Sequence, residues 1–247
     1  MFTVLLLEEK TKNRFLTRVK EKLKPTPPTL QRCEVKGGAP FFILKLNYEK
    51  GEIPWDKVVH HAGRSAKSLV MPDEITPPED SGIKKYTPEY LPFILLFNTA
   101  IKQISEDVIE PRLRRITVID ERAILAKHIE KAVDIAGEIT VITKNKERYD
   151  AVSQAILNKT GAVIRTVDEV EPFTNYIIAE NIENSDTQAK VYCLNHSNVT
   201  AREIYVQENI VIPEQYEELR PAEIDAITFA SALYEMCGVR ELESLSS

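Results

Sequence analysis

Arg115-Ile116-Thr117-Val118-Ile119-Asp120, Glu138-Ile139-Thr140-Val141-Ile142-Thr143 and Ala162-Val163-Ile164-Arg165-Thr166-Val167 are short β-branched runs. Each is separated from the next by a segment long enough for a helix. Strand, helix, strand, helix, strand in that order predicts parallel strands joined by crossover helices. Tyr176-Ile177-Ile178-Ala179-Glu180 supplies a fourth strand, and Lys190 to Leu194 and Glu203 to Ile212 are further candidates. Gly137 and Gly161 each stand just before a strand, where a left-handed residue closes a helix. The turn after the first strand is Asp120-Glu121-Arg122-Ala123, which carries two carboxylates and no glycine.

Upstream, residues 2–7 form a strand pattern and residues 11–24 a basic helical one, ended by Pro25, Pro27 and Pro28. Leu30 to Val35 and Phe41 to Tyr48 flank Lys36-Gly37-Gly38-Ala39-Pro40, a hairpin signature. Trp55 to Val70 and Pro88 to Ile109 carry helical spacing, with the turn-rich stretch Met71 to Thr87 between them. Pro111 ends the second of these. Pro221 to Cys237 is the last helix, with Pro221 in its first turn and Gly238 as its C-terminal cap. No internal repeat is visible. The organisation predicted is an α+β domain over residues 1–110, then a Rossmann-like α/β domain over 111–247 whose last helix packs back.

With 247 residues and 43% hydrophobic content, the chain has enough apolar material for a core. A formal charge of -6 and a pI near 5.5 argue against nucleic-acid binding, which usually needs a basic face. Cys33, Cys193 and Cys237 are few, far apart and odd in number. This fits buried thiols in a reducing, cytoplasmic setting and no structural zinc. No apolar run approaches a membrane span. The apolar start Met1 to Glu9 lacks the basic region and cleavage site of a signal peptide, and predicts a first strand instead.

Ligands of open parallel sheets bind beyond the carboxyl ends of the strands. There the sequence places Asp120 and Glu121, Thr143 and Lys144, Asp168 and Glu169, and Glu180 and Asn181. Such a rim repels a pyrophosphate unless a cation intervenes, and its chemistry suits Mg²⁺, ribose hydroxyls or an amine; the alternative role for its acids is to favour helix starts. Asp120, Thr143, Lys144 and Asp168 are the candidate binding residues. A second candidate is the face carrying His60, Arg64 and Lys67, aligned at i, i+4, i+7 on the predicted helix and suited to an anion or an acidic partner. His60 and His61 are adjacent and make a poor metal pair. No metal site is predicted. His196, in Asn195-His196-Ser197-Asn198, is an isolated loop histidine without a partner for a dyad, so no catalytic residue is assigned.

In strand and helix order, the stretch from Arg115 to Asn181 resembles the Rossmann-type NAD(P)-binding superfamily. That family's glycine-rich turn corresponds here to Asp120-Glu121-Arg122-Ala123-Ile124-Leu125, and the motif is absent. The second strand runs into Thr143-Lys144-Asn145-Lys146-Glu147-Arg148, basic where an NADP-binding member would hold the 2'-phosphate. Two functions follow from these residues. One is a non-catalytic or regulatory module that binds a small acidic ligand or a protein partner, with no cofactor. The alternative is an NADP-dependent oxidoreductase, or another nucleotide or metabolite enzyme, with a divergent site.

Overall fold

The computed structural model describes residues 1–9, 27–48, 53–207 and 210–245; the basic helix expected at 11–24 lies outside them. The strands are β1 (Thr3–Glu9), β2 (Thr29–Cys33), β3 (Phe41–Tyr48), β4 (Leu69–Val70), β5 (Arg115–Ile119), β6 (Glu138–Ile142), β7 (Ile164–Thr166), β8 (Tyr176–Asp186), β9 (Lys190–Thr200) and β10 (Glu203–Val206). The α-helices are α1 (Trp55–Ala62), α2 (Leu91–Ser105), α3 (Lys146–Thr160), α4 (Glu214–Glu217) and α5 (Ala226–Cys237). The chain divides into two compact units, Met1–Pro88 with Val211–Leu242, and Glu89–Ile210 with Glu243–Ser247. A break near residue 110 would instead fall inside the second unit. There α2 lies against β8 and β9, while in the first unit α5 lies against β4.

In the first unit the sheet order is β2-β3-β1-β4. β1 runs parallel to β3 and β4, and β2 pairs antiparallel with β3 through a turn in which Gly37 takes φ 76°. β1 and β3 are buried on both faces, which is why they are almost continuously apolar. Leu5, Leu44 and Leu46 meet Val58 and Ala62 of α1. On the other face Phe2 stacks on Phe41 at 5.0 Å, and Phe229 of α5 meets both edge-on.

Two helices of this unit are shorter than the sequence pattern predicts. α1 ends at Ala62, because Gly63 turns to φ 55°, and Gly63–Lys67 continues as a 3-10 turn that delivers β4 to the side of β1. α5 begins at Ala226 instead of Pro221, because the Asp225 carboxylate accepts the Thr228 amide and caps it there. Gly238 takes the left-handed closing position, φ 78°. The three cysteines are buried and unpaired, and burial raises each thiol, Cys237 to about 11.

The second unit holds a parallel six-stranded sheet in the order β10-β9-β8-β5-β6-β7. Counted from β5, this is 3-2-1-4-5-6, the Rossmann order, and the unit is a Rossmann-like α/β fold. The connections depart from that family. Between β5 and β6 the expected crossover helix is replaced by two 3-10 turns, Leu125–Lys127 and Ile129–Ala132. Their bonds run i to i+3, His128 to Leu125 and Lys131 to His128. Ala123, Ala126, Ile129 and Ala132 are all buried, and a three-residue period suits a 3-10 turn better than an α-helix. Gly137 is not left-handed; a Cβ there would lie 2.2 Å from the Arg112 carbonyl oxygen, so glycine is required by close approach. Gly161 does close α3 in the left-handed region, φ 78°.

β8, β9 and β10 form an internal repeat the sequence did not reveal. Each paired residue of β8 faces the one fourteen positions later, from Tyr176 with Lys190 to Asp186 with Thr200. A straight strand of that length spans about 36 Å. The link Thr187-Gln188-Ala189 reaches about 10 Å. Parallel pairing across so short a link requires each strand to fold back on itself, so the segment winds as a coil. Asn184 and Asn198, one repeat apart, take φ 47° and 51°. Their side chains bond at 3.1 Å, as do Asn181 and Asn195 at 3.0 Å. Ile177, Ala179, Ile182, Ala189, Val191 and Cys193 fill the interior.

Arg114, 4% exposed, ties the amino edge together. Its guanidinium donates to the carbonyls of Ser105, Asp107, Ile109 and Ile135, joining the end of α2 to the start of β5 and to the crossover. A cation at a helix C-terminus is favoured by the exposed carbonyls. Asn98 donates to the carbonyls of Glu243 and Leu245 and accepts from Lys131, fixing that segment to α2.

Gly137→Ala is expected to cost roughly 2–3 kcal/mol, because backbone must move to admit the methyl group; chemical denaturation measures it. Burial, and then the charge of Lys131, hold His128 below the ordinary imidazole range, against a smaller pull from Glu243. The unfolded chain therefore binds more protons than the folded one below about pH 6.5. The stability His128 contributes is present above that value and is lost as pH falls towards the folded pKa. Tm should fall on acidification over this window, and His128→Gln should flatten the slope.

Candidate functional site

The carboxyl edge of the second sheet is built around Asp120. β5 delivers it at 1% exposure into the turn that follows. Its Oδ1 accepts the Ile124 amide at 2.9 Å, and its Oδ2 accepts the Leu125 amide at 2.7 Å and the Tyr149 hydroxyl at 2.7 Å. Ala123, between them, is buried with φ 56°. A left-handed turn thus follows the first strand, as in glycine-rich turns, but an alanine holds it and a carboxylate fills the concave side. Burial, and then the Asp120 charge, push the Tyr149 phenol far upward, so it stays a donor. Tyr149 lies in the first turn of α3 and anchors that helix to the turn.

The strand order reverses between β5 and β8, which is where a parallel sheet opens a crevice. Arg122 spans that place. Its guanidinium donates to the Glu180 carboxylate at 2.7 Å and to the Glu89 carbonyl at 2.8 Å, and lies 5.9 Å from the Tyr90 ring centre.

Each of the four candidate binding residues has a partner within the chain. Asp120 is spent on backbone amides and Tyr149. Thr143 is buried and accepts the Asn145 amide at 3.1 Å, setting the turn into α3. Lys144 pairs with Glu121 at 2.5 Å. Asp168 pairs with Lys146 at 2.8 Å, a hydrogen bond that raises the lysine pKa. In the first unit, His60 belongs to α1 while Arg64 and Lys67 lie in the 3-10 turn beyond Gly63. The helical alignment of the three is therefore broken at Gly63. His60 instead meets His61 edge-on at 5.1 Å. His196 is an exposed residue of β9, not of a loop. Among the described residues no three histidines, cysteines or carboxylates converge as a metal site, and no helix is long and apolar enough to cross a membrane.

Tyr149 and Arg114 were not singled out from sequence. The available signal for Tyr149 was a lone aromatic in the polar run Lys146-Glu147-Arg148-Tyr149-Asp150. Away from the carboxyl edge, Arg112, Arg115, Gly137, Glu138, Val163 and Arg165 line a cleft of about 280 Å³ at the amino ends of β5 to β7.

No protein-family model matches the chain, and no curated protein does. Among solved structures it is similar to Δ1-pyrroline-2-carboxylate reductase of Thermococcus litoralis, in complex with NADH and L-proline. There the identity is 12%, the coverage 71% of this chain and 46% of the reductase, and the TM-score 0.29. It is also similar to L-tryptophan dehydrogenase of Nostoc punctiforme, at 10% identity, 98% and 74% coverage and a TM-score of 0.35. The chain spans less than half of the reductase. The strand order, not these likenesses, identifies the fold.

Asp120→Ala leaves two amides and a phenol without a partner in a dry turn, and is expected to cost about 3–5 kcal/mol. Asp120→Asn keeps the shape but aims an amino group at a donor, and should cost at least about 2 kcal/mol. Denaturant titration of both variants checks this. A loss below about 1 kcal/mol for Asp120→Ala would show that the carboxylate does not organise the turn.

Proposed function

We propose that this chain is a non-catalytic binding module, in which a Rossmann-like sheet is kept as scaffold and its dinucleotide crevice is closed by the chain's own charges. The observation that carries the proposal is the Asp120 carboxylate on the amides of Ile124 and Leu125. A dinucleotide places its pyrophosphate on free amides at a helix start and needs side-chain-free backbone to approach them. Here the amides are engaged by an internal anion, the following segment is 3-10, and Arg122 and Glu180 bridge the switch point. A pyrophosphate would have to displace a buried carboxylate of its own sign. The ligand left to such a module is a small acidic molecule or a protein partner, met elsewhere on the surface.

The competing reading is an NADP-dependent oxidoreductase. Lys144 and Lys146 favour it, since both stand where a 2'-phosphate would be met and both are exposed in their ion pairs. Thermal-shift titration with NADH, NADPH, ATP, S-adenosylmethionine and inorganic phosphate separates the two. A ligand at one hundred times its Kd stabilises the native state by about 2.7 kcal/mol. No shift is expected from the dinucleotides. A dose-dependent rise with NADPH that Lys144→Ala abolishes would replace the binding-module reading by the oxidoreductase.

A further inference from the structure

We propose that the amino edge of the second unit's sheet is a self-association surface, on which Phe173 of one copy docks against a second copy of this chain. Glu171-Pro172-Phe173-Thr174 is a tight turn closed by the Thr174 amide on the Glu171 carbonyl at 3.2 Å. Proline at its second position and a positive φ at its third mark a type II turn, whose third position normally holds glycine or asparagine. Phe173 stands there with φ 97° and is 82% exposed. A bulky residue in that backbone region is strained, and it persists only where neighbours fix the turn. The fixing groups are visible. Thr174 Oγ1 lies 2.9 Å from Thr117 Oγ1 in β5, and Asn175 both donates to and accepts from the Arg115 backbone. The turn gains nothing in stability from an aromatic ring held in solvent, so a contact made by that ring is the physical reason for its presence.

The surroundings fit an interface. The turn is flanked by the cleft of Arg112, Arg115, Glu138, Val163 and Arg165. Arg165 pairs with Glu171, the first residue of the turn, at 3.0 Å, and also with Glu138. Leu113 and Val163 are exposed apolar residues of the same edge. Aromatic and arginine side chains are the types enriched at interface centres. Charge selects the occupant. Arg112 pairs with Glu110, and Arg115, Glu138, Arg165 and Glu171 form one chain of ion pairs, so three arginines meet three glutamates in two groups. These six surface groups balance one another on a chain of formal charge -6. Two copies of an acidic chain repel unless they meet on a neutral surface, and an isologous contact lets each copy's arginines face the other's glutamates.

Sedimentation velocity of the full chain across micromolar concentrations tests this. Wild type is expected to show a concentration-dependent monomer–dimer equilibrium. Phe173→Gly should raise the dimer dissociation constant at least about tenfold, while its Tm, measured at a dilution where wild type is monomeric, stays level or rises. Val163→Glu, which leaves the turn intact, should weaken association in the same way with Tm retained. A wild type that stays monomeric at every concentration overturns the proposal. So does a dimer that both variants leave unchanged.

Discussion

A carboxylate held almost out of water between two backbone amides and a phenol governs the carboxyl edge of the second unit. Asp120 accepts from all three donors, and so fixes three things together. It stabilises the left-handed step at Ala123. It gives the segment after β5 its tight 3-10 course. It locks α3 through Tyr149. Buried donors left without acceptors are costly, so these features hold or fail as a group. In related sheet orders an external phosphate is met by amides in this position. Here the anion is covalently part of the chain.

The opposite edge of the same sheet follows a different logic. Arg114 gathers four carbonyls from α2, the loop before β5 and the crossover, and Gly137 allows the backbone of Arg112 to approach within contact distance. That rigid base carries exposed arginines, glutamates and a strained phenylalanine. Where the carboxyl edge is filled from within, the amino edge exposes apolar side chains, Leu113, Val163 and Phe173, among its ion pairs.

The coil from β8 to β10 accounts for how a six-stranded order is reached with few helices. Crossover helices normally return the chain to the starting edge of a parallel sheet. In the coil β8 and β9 each carry an asparagine with positive φ, Asn184 and Asn198, and are followed by links of only three and two residues. Stacked asparagine amides and small interior residues such as Ala179, Ala189 and Cys193 let successive turns lie close.

Much of the architecture was legible without coordinates. The β-branched runs at 115–119, 138–142 and 164–166 are local signals, and so are the hairpin at Gly37 and the closing glycines Gly161 and Gly238. The absence of a glycine-rich turn at Asp120 was equally plain, because that motif depends on residue type alone. What sequence could not supply depends on contacts between distant residues. The purpose of Gly137 is set by Arg112, and the burial of Asp120 by Tyr149. The repeat at 176–206 is carried by backbone pairing and only faintly by identity, chiefly Asn181 with Asn195 and Asn184 with Asn198. The candidate groups around Lys144, Asp168, His60 and Arg64 looked convergent because spacing along a chain does not register a helix that stops early, or a neighbouring charge that claims the side chain first. Local propensity determined which elements form; tertiary packing decided which charges remained available, since pairing depends on distance in space.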